Sequence, residues 1–286
     1  MYSSGAVAGI AIGCAFASAA IVSAVFLLVH RRRPNLKPTT PEQVPRLEYV
    51  HDHLLQAVGH KELRREFSGL ETLIKAFAFN YFHTQPVDAT TVDTDKIHAM
   101  LGAADNHSSS QWSTQLCDTT NRITALRTYI ARVLLARVDP RGPAETTLLP
   151  VDIVRCFQTA LLKNHPPLLL ESWRVTTATV LAGQYPQNKL AEGDPRADNI
   201  KRTVADLLDA LQPFRTKGNE ESSILILEEM GKSFAVLGFK LFSHINTIEV
   251  VWPPSSATQV VLFPALVQYR PTEGYIIVTI REASFY

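Results

Sequence analysis

The chain has 286 residues, 46% of them hydrophobic and 19% charged, with a formal net charge of +1, a balance that excludes both a wholly disordered polymer and a strongly basic nucleic-acid binder. Arg31, Arg32, Arg33 and Lys37 precede the first acidic residue, and of the 28 basic residues the other 24 face 27 acidic ones, a net of −3 for the remainder. Nucleic acid, which calls for a basic patch or stripe, is therefore not an expected partner.

From Gly5 to Val29 no residue is charged, and only Ser18 and Ser23 are clearly polar. At about 1.5 Å rise per residue this run is long enough for a hydrocarbon core of about 30 Å, so residues 5–30 predict a transmembrane helix behind a short tail of residues 1–4. A cleaved secretory signal would carry a basic region first and a shorter apolar run of roughly 7–15 residues. Here Arg31, Arg32 and Arg33 follow the apolar run, which predicts an uncleaved signal anchor with the body in the cytosol. On that topology the sequon Asn106-His107-Ser108 stays bare. The triple arginine also suits anionic lipid head groups, at about 1 kcal/mol per residue, although topology alone explains it.

Within the span Gly5, Gly9, Gly13 and Ala17 recur every four residues and give a helix-pairing face for a homodimer. The bland reading, a helix merely rich in alanine and glycine, stands beside it. A moderately hydrophobic span with a basic C-terminal flank matches signal-anchored proteins of the mitochondrial outer membrane, with the endoplasmic reticulum and plasma membrane equally open.

Residues 31–46 hold Pro34, Pro38, Pro41 and Pro45, which forbid a continuous helix and predict a stiff spacer. Residues 47–286 form the body, mainly α. Leu54, Leu55 and Val58 suggest a short helix, and Leu70, Leu73, Ile74, Phe77, Ala78 and Tyr81 an amphipathic one. Asp93 or Thr94 caps a helix through Leu101, ahead of a Ser108-Ser109-Ser110 loop. Ile123 to Val138 has helical period and ends at Asp139-Pro140-Arg141-Gly142-Pro143. Further helices are expected from Pro150 to Leu162, from Leu168 to Leu181, and from Ile200 to near Pro213. Leu227, Met230, Phe234, Leu237 and Leu241 alternate spacings of three and four, with Ile224, Leu225, Phe239 and Phe242 on other faces, as in a central helix of a bundle.

The period then changes. Thr247 to Trp252, Gln259 to Phe263 with Leu266 to Tyr269, and Tyr275 to Ile280 are rich in β-branched and aromatic residues, with Thr272-Glu273-Gly274 as a hairpin turn. A small C-terminal antiparallel sheet at about 247–281 is expected, interrupted at Pro264. The run Leu227 to Ser243, with Val250-Val251-Trp252 and Val261-Leu262-Phe263-Pro264-Ala265-Leu266, resembles the C-terminal part of uncharacterised fungal proteins with one membrane span and a helical body. The resemblance covers the last quarter of the chain and implies an architecture without implying an activity.

The chemical motifs are sparse. Gly231-Lys232-Ser233 looks like the tail of a phosphate-binding loop, but Ile226 stands where that loop needs its first glycine. His51, Asp52, His53 and His60 form the densest histidine group, yet on a helix His51 and His53 point about 200° apart. Cys14, Cys117 and Cys156 have no zinc or redox spacing, and the two in the body read as buried thiols of a reducing compartment. No metal and no cofactor is expected. These readings point to a membrane-anchored interaction or tethering protein whose partners are the lipid bilayer and another protein. The alternative is a membrane-associated enzyme built from scattered residues, with the His51 group and Glu228 and Glu229 as its candidates. A deep pocket with convergent polar groups would favour the enzyme, and an exposed apolar patch the interaction module.

Overall fold

Leu63, Phe67, Leu70, Ile74 and Phe77, spaced by four and three, lie on one stripe and are all buried. They make α1, His60–Tyr81, the first helix among the described residues of a computed structural model, which are 58–101, 109–162, 165–254, 260–270 and 275–286. Seven more α-helices follow: α2, Thr94–Leu101; α3, Ser109–Cys117; α4, Arg122–Ala136; α5, Val151–Leu162; α6, Pro167–Leu181; α7, Arg196–Ala210; and α8, Glu220–Ser243. Strands β1, Thr247–Val251; β2, Val261–Phe263; β3, Ala265–Arg270; β4, Tyr275–Arg281; and β5, Ser284–Phe285 complete the chain. The mainly helical fold with a small C-terminal antiparallel sheet is thus present. The expected membrane span, the proline spacer and the short helix at Leu54 and Leu55 lie outside the described residues. Among those described, no helix is long and apolar enough to cross a membrane.

Helix α8 holds the body together because every side of its last two turns, Leu237 to Ser243, is buried. Leu227, Met230, Phe234, Leu237 and Leu241 enter one hydrophobic core with α1, α2, α4 and α7, while Phe239 and Phe242 enter a second one with Ile153, Val154 and Ala178 of α5 and α6. Two glycines set how closely its neighbours approach. A Cβ on Gly231 would stand 2.8 Å from Ile200 Cγ2, and one on Gly238 2.6 Å from Val138 Cβ, distances that no real pair of carbons adopts without displacement.

Asp93 caps α2, its carboxylate accepting from the Lys96 N–H at 3.0 Å, which satisfies one of the unpaired amides of the first turn. Helix α1 begins ten residues before Leu70, because Leu63 and Phe67 extend its buried stripe. Ser109 and Ser110, expected in a loop, instead start α3. Its composition is polar, and what holds it is the pair Trp112 and Leu116, one turn apart and both buried. Trp112 meets Tyr129 edge-on at 5.4 Å.

The sheet order is β1-β3-β4, all antiparallel, with a separate β2-β5 pair. Thr247 pairs with Tyr269 and Val251 with Ala265, and Arg270 pairs with Tyr275 on either side of the expected turn, whose residues lie outside those described. Pro264, which lacks an N–H, separates β2 from β3 where the chain passes from one sheet to the other. Arg281 fastens the sheet to α1: it bonds to Glu71 and lies over the rings of Phe67 and Phe263 at 5.6 and 5.1 Å.

Candidate functional site

Between the two cores the helices leave a cavity of about 550 Å³, a size suited to a small organic ligand. Its apolar wall includes Leu101, Leu135, Leu170, Leu241, Phe242 and Ile248, and the same cavity is lined by three arginines, Arg132, Arg141 and Arg174, and three carboxylates, Asp139, Glu171 and Glu249. The elements explain its position. Gly238 brings α8 against Val138 at the end of α4, and α6 and β1 close the other sides.

Most of the polar lining is satisfied within the protein. Arg141 donates through Nε to Asp139 Oδ1 at 2.9 Å and through Nη2 to Oδ2 at 2.9 Å, and its Nη1 lies 3.9 Å from Glu249. The hydrogen bond with Asp139 raises the Arg141 pKa. Glu171 accepts from the Thr247 hydroxyl at 2.7 Å. Arg132 stacks its guanidinium 4.1 Å from the centre of the Trp252 ring, a cation–π arrangement.

Arg174 is different. It is 93% buried by its 7% exposure, and Nη1 donates to the carbonyls of Leu241, at 3.4 Å, and Phe242. These are carbonyls of the last turn of α8, where intrahelical donors run out and a cation is favoured. Nη2 of the same group is buried with no hydrogen-bond partner. Burial lowers the pKa of this arginine to about 10, and nearby Glu171 acts in the opposite direction.

A second depression, an open groove of about 820 Å³, runs beside α1 and α8 and is lined by Glu66, Lys189, Glu229, Lys232 and Ser233. Lysines and carboxylates alternate there, and Lys232 Nζ donates to Glu229 at 2.6 Å, so the groove has no excess of either charge. Gly231-Lys232-Ser233 lies within α8, and the Ser233 hydroxyl returns to the Glu229 carbonyl at 3.0 Å. The segment packs as helix and forms no phosphate loop.

The remaining expected residues do not assemble with the cavity. Gly5, Gly9, Gly13, Ala17, Arg31, Arg32, Arg33, His51, Asp52 and His53 lie outside the described residues. His60 stacks on His244 at 6.0 Å. Among the described residues no three His, Cys, Asp or Glu side chains could share a metal ion. Glu229 faces the second groove, whereas Glu228 lines neither depression. Cys117 and Cys156 are free, and Cys156, expected to be buried, is exposed on the outer face of α5, because Ile153 and Val154 take its inner face. The cavity residues escaped the sequence reading because they come from six separate segments, in or beside α2, α4, α5, α6, α8 and β1. One signal was available: Glu171 and Arg174 are the two charged residues between Leu168 and Leu181.

No family model matches the chain, and comparison with curated proteins and with solved structures finds no match.

Proposed function

We infer that this chain is a membrane-anchored binding protein whose body receives a small amphipathic molecule in the cavity between α4, α6, α8 and β1. The observation that carries the reading is the cavity itself: about 550 Å³, walled by leucines and aromatic rings, with its charged groups largely paired to one another. A catalytic site would need a nucleophile or a proton-transfer group directed at the space. Among the described residues lining it there is no histidine, cysteine, serine or lysine, and its carboxylates are engaged within the wall, Asp139 and Glu249 with Arg141 and Glu171 with the Thr247 hydroxyl. The rim adds an apolar lip, since Leu168 and Leu169 beside Pro167 are 62% and 54% exposed.

The anchor of residues 5–30, the cytosolic orientation set by Arg31, Arg32 and Arg33, and self-association through Gly5, Gly9, Gly13 and Ala17 belong to the same proposal. A bilayer close to the body would supply apolar ligands at high local concentration, and Leu168 and Leu169 suit a protein or lipid surface.

The test is saturable uptake of an apolar fluorescent probe by the full chain in lipid nanodiscs, with empty nanodiscs as blank. Ala136 is half-buried on the cavity wall, and Ala136→Phe directs a ring into the space. The variant should bind the probe about tenfold more weakly, the loss of roughly 1.4 kcal/mol. Equal binding by variant and wild type would remove the cavity from the account.

A further inference from the structure

We propose that the ligand of this cavity carries one carboxylate, which pairs with the guanidinium of Arg174 while an unbranched apolar chain lies along Leu101, Leu135, Leu241 and Ile248. The proposal rests on the binding reading above and names the class of molecule bound.

Three observations support it. First, Arg174 has unused hydrogen-bonding capacity: Nη1 is engaged by the α8 carbonyls and Nη2 is without a partner. A buried donor left unmade is costly, and a charged acceptor is its strongest complement. Second, the walls carry three arginines against three carboxylates, so the empty site is near neutral and accommodates one added charge. A phosphate would bring about 1.5 to 2 negative charges beside Glu171, Asp139 and Glu249, which disfavours it. Third, the carboxylates that could hold a cationic head group already have partners: Asp139 accepts two hydrogen bonds from Arg141, Glu249 lies 3.9 Å from the same guanidinium, and Glu171 accepts from the Thr247 hydroxyl.

Nη2 is shielded from water as it stands, so the head group must displace a wall side chain to reach it. Slow association is the expected kinetic trace. Glu171, three residues before Arg174 on α6, opposes the incoming anion and sets how strongly it is held.

The experiment displaces the same apolar probe from the full chain in nanodiscs with decanoate, decanol and decylamine, which share one tail and differ in the head group. Decanoate should compete at a concentration about tenfold or more below decanol, the range of a hydrogen bond to a charged group. Decylamine should be the weakest. Arg174→Met should bring decanoate down to the level of decanol, and Glu171→Gln, which keeps an oxygen for the Thr247 hydroxyl, should raise decanoate affinity. Because Arg174 also caps α8, its variant can fail to fold; the head-group series on the wild type and Glu171→Gln then decide. Equal displacement by decanoate and decanol, or preference for decylamine, overturns the carboxylate assignment and leaves the cavity as a binding site. A probe that does not bind at all overturns the binding reading itself.

Discussion

Asp194 and Arg196 are 0% and 1% exposed at their side chains and pair at 2.7 Å through a two-pronged contact. Arg196 also donates to the Ala235 carbonyl at 3.1 Å and lies 4.9 Å from the Tyr185 ring centre, so one side chain ties α7 to α8 and to the loop before it. Removing one member strands the other charge in the interior, which costs about 3 to 5 kcal/mol, whereas removing both can be nearly neutral. Arg196→Met should therefore lower the urea midpoint strongly, and Asp194→Leu combined with Arg196→Met should recover much of the loss. Additive losses would contradict the pairing. His244 gives a pH test at the same scale. Burial is the main cause that lowers its pKa below the ordinary 6.5, with His60 and Arg174 adding repulsion and the carbonyls of Asn246 and Val58 acting against it. The unfolded chain then binds the extra proton below about pH 6.5, so stability is complete above that value and is lost as pH falls through it toward the lower native pKa. His244→Gln should flatten the fall in urea midpoint between pH 7 and pH 5 relative to wild type. An unchanged slope would show that other groups set it.

At the scale of elements, the spacing of α8 against its neighbours rests on two glycines, and glycine substitutions separate packing from propensity. Gly238→Ala places a Cβ 2.6 Å from Val138 and should cost about 1 to 3 kcal/mol by overpacking, with Val138→Ala restoring part of it in a double-mutant cycle. Gly69 lies inside α1 with nothing within 4 Å of its would-be Cβ, so Gly69→Ala should stabilise by about 0.5 to 1 kcal/mol. Both are read from denaturant unfolding. The paired need for small residues at 231 and 238 was legible in the chain, because glycines seven apart on a helix share a face. Helix α3 was not legible: Trp112 and Leu116 are too few apolar residues to impose a period, and their burial comes from α4. The second, two-stranded pair was also hidden, since β5 is two residues long and is defined by its partner Val261–Phe263, not by any local pattern.

For the whole molecule, the hydrophobic period is enough to read the helices other than α3 and the change to strands, because each of those helices buries a stripe. It is not enough to read the cavity, which exists where stripes from α4, α6, α8 and β1 fail to meet. Arg122 illustrates the same limit. Wholly buried, it joins the end of α3 to the loop after α1 by donating to the carbonyls of Leu116 at 2.6 Å, Cys117 at 3.1 Å and His83 at 3.2 Å, yet its sequence position looks like an ordinary helix start. The anchor makes its own prediction: the full chain should stay with membranes after alkaline carbonate extraction, and a chain beginning at residue 47 should be released. Release of the full chain would remove the span of residues 5–30 from the account. The central claim, that the cavity is a ligand site, is tested most directly by methyl NMR of the full chain in nanodiscs during titration with decanoate. The account predicts saturable shifts at Leu135, Leu241 and Ile248 while Ile74 and Leu207, buried in the core away from the cavity lining, stay unmoved. Shifts absent from the cavity methyls, or spread equally over all five, would contradict it.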